Sequence, residues 1–178
     1  LCPDKTVLIP EGDKLTQCVS SQVGCAVGCV FCRSGCLGLK RNLSAAEIIS
    51  QVHLARAHHK EGERLRNVVF MGIGEPLHNA KAVACAAELM CHPEGLDLST
   101  RRVTLSTVGI VRGIKKLATL SSNSIALAIS LHAANDETRR RLVPGAKDSL
   151  ADIIEALKNY PLPPRRRFTI EYVLVKGI

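Results

Sequence analysis

With 178 residues, 46% of them hydrophobic, the chain is long enough for one domain with a proper core and too apolar for a disordered one. No apolar run approaches the roughly 18 to 20 residues that span a bilayer, and no secretory signal precedes the first expected strand. Lys and Arg outnumber Asp and Glu by 24 to 16, a net charge of +8 that favours a polyanionic partner such as RNA.

Along the chain, strand-like and helix-like segments alternate. Residues 16–21 (TQCVSS) read as a first strand, paired with residues 6–9. A helix is expected from Ser44, where Ser44 and Glu47 can form a capping box and Ile48, Ile49 and Val52 share a face. Residues 67–71 (NVVFM) form a short buried strand, and Asn79 can cap a helix running to about Cys91. A third strand covers residues 102–105, followed by a helix marked by Ile110, Ile114 and Leu117. The fourth strand is expected over residues 124–130, and Leu150, Ile153, Ile154 and Leu157 then carry the stripe of an amphipathic helix. Residues 161–167 (PLPPRRR) form a turn with a basic run, and residues 168–175 a fifth strand.

Repeated strand–helix units imply parallel strands with right-handed crossovers. The α/β candidates are a partial (β/α) barrel and an open doubly wound sheet. The chain opens on Leu1 and stops at Ile178 after an apolar run, so both ends read as cut from a longer protein.

Five of the eight cysteines lie between Cys18 and Cys36. That clustering suggests metal ligation in a reducing compartment rather than a secreted disulfide framework, and makes the cytoplasm the expected address. Cys25, Cys29 and Cys32 stand as C-x3-C-x2-C directly after the first strand. Three thiolates at this spacing suit three irons of a 4Fe–4S cubane and leave the fourth iron open. A small molecule with an amine and a carboxylate, such as S-adenosylmethionine, can chelate that iron. The alternative is a structural zinc with Cys36 or Cys18 as fourth ligand, which lacks a second C-x2-C knuckle.

In a parallel barrel, reactive groups come from the carboxyl ends of the strands. The cysteine loop follows strand one, Gly72 to Pro76 (GIGEP) follow strand two, Ser106 and Thr107 close strand three, and Ser130 to His132 close strand four. Glycines in GIGEP allow close backbone approach to a ligand, and Glu75 can accept from an amino group; the bland reading is a strand-to-helix turn ended by Pro76. Ser106 and Ser130 can donate to a ligand's carboxylate or ribose hydroxyls, or simply cap turns. His132 suits a ligand contact or a cap equally. Phe31 suits either core packing or contact with an adenine. The basic runs 101–102, 139–141 and 165–167 each read singly as solvated faces.

The ordered set CVSSQVGCAVGCVFC, RNLSAAEII, GIGEP, RRVTLSTVG, LAISLHAANDETR and TIEYVLV resembles the RlmN/Cfr group of radical-SAM RNA (adenine) methyltransferases. The resemblance implies a partial (β/α)6-type barrel over residues 1–178, an incomplete radical-SAM core domain lacking an amino-terminal accessory domain and a carboxyl-terminal segment. It implies that Cys25, Cys29 and Cys32 hold the 4Fe–4S cluster, that Gly74, Glu75, Ser106, Ser130, Leu131 and His132 bind S-adenosylmethionine, and that Cys18 helps resolve a covalent protein–RNA intermediate, with a disulfide bond among the expected features. Spacing alone leaves Cys18 a buried strand thiol. The methyl-carrying cysteine would lie beyond Ile178. The implied reaction is methylation at C2 of an adenosine in 23S rRNA and tRNA by a monomeric enzyme with a flavodoxin-like electron donor. A C8-directed relative, another radical-SAM enzyme acting on a small molecule or peptide, and a zinc-stabilised RNA-binding module are the alternatives. Gly28, Arg33-Ser34-Gly35 and Gly145-Ala146 depart from the group's usual sequence without removing a ligand.

Overall fold

Val7–Glu11 (β1) and Lys14–Cys18 (β2) form an antiparallel hairpin, and from β2 onward every strand of the main sheet runs parallel to its neighbour. The computed structural model describes residues 6–120 and 125–177. After the hairpin, Gln22–Val23 (β3) and Arg41–Asn42 (β4) pair as a small antiparallel ribbon that closes the neck of the cysteine loop. There follow Ala45–Arg56 (α1), Arg64–Phe70 (β5), Ala80–Cys91 (α2), Val103–Thr107 (β6), Val111–Leu120 (α3), Ala126–Ser130 (β7), Asp136–Leu142 (α4), Leu150–Lys158 (α5) and Thr169–Glu171 (β8). The six-stranded sheet has the order β1-β2-β5-β6-β7-β8.

Helix α1 packs on α2, α2 on α3 and α3 on α5, an outer layer that follows the strand order. Such a layer belongs to a partial (β/α) barrel; a doubly wound sheet would carry helices on both faces. Ile48, Val52, Val83, Met90, Ile114, Leu117 and Ile153 bury their side chains with Val68, Phe70, Val103, Leu105, Leu127 and Ile129. Strand alternation then turns the other side chains inward. On β6, Val103, Leu105 and Thr107 are buried, while Thr104 and Ser106 stand half-buried on the inner face.

The Ser44–Glu47 capping box forms as expected, and Arg41 braces it with two bonds of 2.7 and 3.0 Å to the Glu47 carboxylate. Other expectations need correcting. Asn79 stands at the helix entry but does not cap it; its Nδ2 donates to the carbonyls of Ser21 (2.9 Å) and Leu43 (2.7 Å), tying the strand end to the segment before α1. Ile154 is 49% exposed, and Ala156 takes its place on the buried face of α5. The fourth strand is Ala126–Ser130, and Ser124 lies outside the described residues. The last strand is only Thr169–Glu171; two residues further on, the Val173 N–H donates to the His132 ring instead of to the neighbouring strand. Helix α4 was not anticipated. It buries Arg139 while Arg140 and Arg141 stay exposed, so the run 139–141 is a solvated face at two of its three positions and not at the first. The expected disulfide finds no support, since all seven described cysteines are free thiols. Among the described residues no helix is long and apolar enough to cross a membrane.

Candidate functional site

The carboxyl ends of β5, β6, β7 and β8 surround a cleft of about 430 Å³ lined by Gly72, Gly74, Glu75, Ser106, Ser130, His132 and Glu171, among others. Its lower rim is the GIGEP turn. Gly74 has a φ of +111°, and a Cβ there would lie 2.6 Å from the Gln22 Cβ, so only glycine lets this turn close on the strand beside it. The Glu75 N–H donates to Gln22 Oε1 (2.8 Å), and Gln22 Nε2 donates to Asn42 Oδ1 (2.7 Å). Buried Gln22, unremarked in the sequence, thereby links the neck of the cysteine loop to the cleft.

Glu75 is 3% exposed. Its Oε1 accepts from the Leu77 N–H (2.9 Å) and the Thr107 hydroxyl (2.7 Å), and its Oε2 from the Val108 N–H (2.9 Å). Burial pushes this carboxyl above its ordinary value, and the three donors work against the rise. A carboxylate offers about four acceptor sites, so one on Oε2 stays available for an amino group in the cleft. Glu75 therefore fastens the ends of β5 and β6 together and has capacity left for a ligand.

Ser106 and Ser130 stand side by side at the ends of β6 and β7, their Oγ atoms 3.3 Å apart. Both hydroxyls reach Oε2 of Glu171 at 2.6 Å. Each serine has one proton to give, and both are engaged by that carboxylate. Toward the cleft they present lone pairs, which suits ribose hydroxyls or an ammonium better than a ligand carboxylate. Glu171 was missed because the run TIEYVLV reads as ordinary strand; its in-register position opposite Ser130 is visible only in the folded sheet. Leu131 donates its N–H to the Glu171 carbonyl (3.1 Å).

His132 has a φ of +60°, a left-handed conformation uncommon for a residue with a Cβ and concentrated at functional sites. Its Nδ1 accepts from the Val173 N–H (3.2 Å). Burial pushes its pKa below the ordinary value, which agrees with a neutral ring carrying its proton on Nε2.

Phe31 meets the His132 ring edge-on, with centroids 4.8 Å apart, and so joins the cysteine loop to the cleft. The loop is gripped from the far side: Val30 N–H donates to the Leu142 carbonyl (3.0 Å) and Gly145 N–H to the Val27 carbonyl (2.8 Å). A Cβ on Gly145 would lie 2.6 Å from the Val27 Cα, so this contact requires glycine. Cys25 and Cys29 pack against the buried cluster of Val27, Val108, Leu142 and Val143. Cys18 ends β2 with its thiol near the backbone of Met71, a cleft-lining residue. Burial pushes the Cys18 thiol up. Cys36 is exposed, and Cys85 and Cys91 sit on α2 in the helical layer.

Cys25, Cys29 and Cys32 are all half-buried free thiols. Burial first, then the charges of Cys32 and Cys25, pushes Cys29 up to about 11. Thiols that raise one another in this way are sites where a cation would be welcome. Among the described residues no group of three or more His, Cys, Asp and Glu side chains is gathered to hold a single metal ion. A cubane gives each thiolate its own iron, and three half-buried thiols close enough to act on one another through their charges fit it.

The sequence model of the Radical SAM superfamily matches residues 19–178, and the chain belongs to that superfamily. Its cofactors are S-adenosylmethionine and a 4Fe–4S cluster. The chain is 59% identical over 165 residues to the dual-specificity RNA methyltransferase RlmN of Sorangium cellulosum, an alignment covering 92% of this chain and 42% of that protein. It is 54% identical over 176 residues to the probable dual-specificity RNA methyltransferase RlmN of Aquifex aeolicus, covering 98% and 50%. A solved radical SAM methyltransferase from Sphaerobacter thermophilus superposes with a TM-score of 0.88 at 44% identity, over 97% of this chain and 51% of that one. The chain thus spans about half the length of these relatives.

Proposed function

We propose that residues 1–178 are the radical-SAM core of an RNA methyltransferase that methylates C2 of an adenosine in 23S rRNA and tRNA. The observation that carries this reading is the strand-end cleft joined to a three-cysteine loop through Phe31 and His132, in a chain 54–59% identical to proteins named dual-specificity RNA methyltransferases. In this reading Cys25, Cys29 and Cys32 hold the cluster, Gly74, Glu75, Ser106, Ser130, Leu131 and His132 hold S-adenosylmethionine, and Cys18 resolves the protein–RNA intermediate formed through a methyl-carrying cysteine beyond residue 178. When bound, the cluster supplies the electron that cleaves the sulfonium bond of S-adenosylmethionine. The chain's own contribution is orientation: Glu75 receives the amino group, the serine pair receives the ribose, and the Phe31–His132 contact holds the cysteine loop against the cleft. C2 of adenine is electron-poor and no nucleophile, so ordinary methyl transfer to it fails. The cytoplasm, a monomeric state and a flavodoxin-like electron donor complete the reading.

The test uses the full-length protein under anaerobic conditions with S-adenosylmethionine, a low-potential reductant and unmodified 23S rRNA or tRNA. Nucleoside mass spectrometry is expected to show 2-methyladenosine. A methyl group at C8 would move the reading to the C8-directed relative, and adenine left unmethylated in both RNAs would sink it.

The surface offers support for an RNA partner. Two basic runs that read singly as solvated faces converge: Arg101, Arg165, Arg166 and Arg167 line a second cleft of about 430 Å³ at the amino ends of β6 to β8. Arg166 Nη2 donates to Thr100 Oγ1 (2.7 Å) and holds the two loops together. Replacing Arg101, Arg165 and Arg167 by alanine is expected to flatten the dependence of log K on log salt by about 2 for single-stranded RNA, three phosphate contacts at roughly 0.7 each. An unchanged slope in a filter-binding titration would place the phosphates elsewhere.

A further inference from the structure

Arg139 is 1% exposed, the largest fully buried side chain among the described residues. Its guanidinium donates from Nη2 to the Val108 carbonyl and from Nη1 to the Asp148 carbonyl (3.2 Å), while Nε finds no partner. The ion pairs Arg41–Glu47 and Arg64–Asp13 lie elsewhere, and Arg139 has none among the described residues. Asp136 and Asp148 act on it only at longer range, and Cys29 is the third negative group that does so. Burying a cation without an anion in contact is costly, and a chain with many exposed positions for arginine has placed one here.

Its surroundings say what the charge faces. Val108, whose carbonyl Arg139 holds, packs in the cluster that contains Val27 and Leu142 and against which Cys25 and Cys29 rest. Leu142, at the end of the same helix, accepts from Val30, and Gly145, just beyond it, donates to Val27. The helix that carries Arg139 is thus the wall on which the cysteine loop is mounted. A cubane held by three thiolates is anionic, and reduction adds one more negative charge. A fixed positive charge buried beside it favours the reduced form.

We propose that Arg139 is the counter-charge of the cluster held by Cys25, Cys29 and Cys32, a positioning residue that raises its reduction potential. The inference rests on the cluster reading above. The full-length protein, reconstituted anaerobically with iron and sulfide, is titrated with dithionite, and the reduced cluster is followed by EPR in the wild type, Arg139→Gln and Arg139→Lys. Arg139→Gln is expected to shift the reduction equilibrium about tenfold toward the oxidised form, ~59 mV more negative for one electron. Arg139→Lys keeps the charge while losing the planar fork, and is expected to titrate near the wild type. An unchanged potential in Arg139→Gln overturns the proposal. So does an equal shift in both variants, or loss of the cluster in both, because Arg139 would then serve only the two carbonyls. A wild type that takes up no cluster sinks the cluster reading itself, which separates the two failures.

Discussion

Cys29→Ala in the full-length protein is expected to remove the 4Fe–4S EPR signal and to bring RNA methylation below detection. The loss should exceed the 10- to 100-fold that removal of an outer-shell partner of a metal ligand typically costs. Cys29 is the middle thiol of the loop, resting against the buried cluster of Val27, Val108 and Leu142. Its proton is held tightly while no metal is near, with the pKa pushed up to about 11 by burial and by its two neighbours. An iron bound here would have to displace that proton, so cluster assembly through Cys29 would release a proton. In the proposed ligand set, removing the thiol would take away one iron ligand and leave a gap that Cys36 is poorly placed to fill, since Cys36 is exposed and its thiol turns toward the Cys32 carbonyl at 3.9 Å. Cys36→Ala is accordingly expected to keep the full signal. An intact signal in Cys29→Ala, or its loss in Cys36→Ala, would reassign the ligands.

What could be read from the sequence was local. The Ser44–Glu47 box depends on two residues three apart and forms as written. The cysteine spacing and the GIGEP turn are likewise short-range patterns, and both lie at strand ends. What could not be read depended on partners distant in the chain. Glu171 is an undistinguished strand residue until β8 pairs with β7 and sets it against Ser106, 65 positions away. Gln22 gains its meaning only from Glu75, 53 positions on. Arg139 sits in a run of three arginines, where charge patterning predicts a wet surface; helix α4 is seven residues long, too short for a periodic apolar signal to show which of its faces turns inward. The same limit explains Ile154. An i, i+3, i+4, i+7 stripe admits it to the buried face of α5, but the groove over α3 and the sheet is filled by Ile153, Ala156 and Leu157.

Glu75→Ala is expected to destabilise the fold by about 3 kcal/mol or more, because three buried donors lose their acceptor and each orphaned group costs roughly 1–3 kcal/mol. Those donors, Leu77 N–H, the Thr107 hydroxyl and Val108 N–H, come from the two strand ends that flank the cleft. The cleft should therefore widen with the loss of stability, and S-adenosylmethionine binding should fall with it. Glu75→Gln keeps one oxygen for Leu77 and Thr107 but sets an amide NH2 against the Val108 N–H, so an intermediate loss is expected. The pH dependence carries a sign that tests the burial argument. Burial raises the folded-state pKa of Glu75 above its unfolded value, so the folded chain holds this proton more tightly than the unfolded one. The contribution of that proton to stability is fully present below the unfolded pKa of about 4.3 and is lost as pH rises through the folded value. Urea midpoints of the wild type and Glu75→Gln, measured from pH 4 upward, should show the wild type losing ground to the variant as pH rises through that window. A difference that stays flat would mean that the three hydrogen bonds fully offset the desolvation of the Glu75 carboxylate.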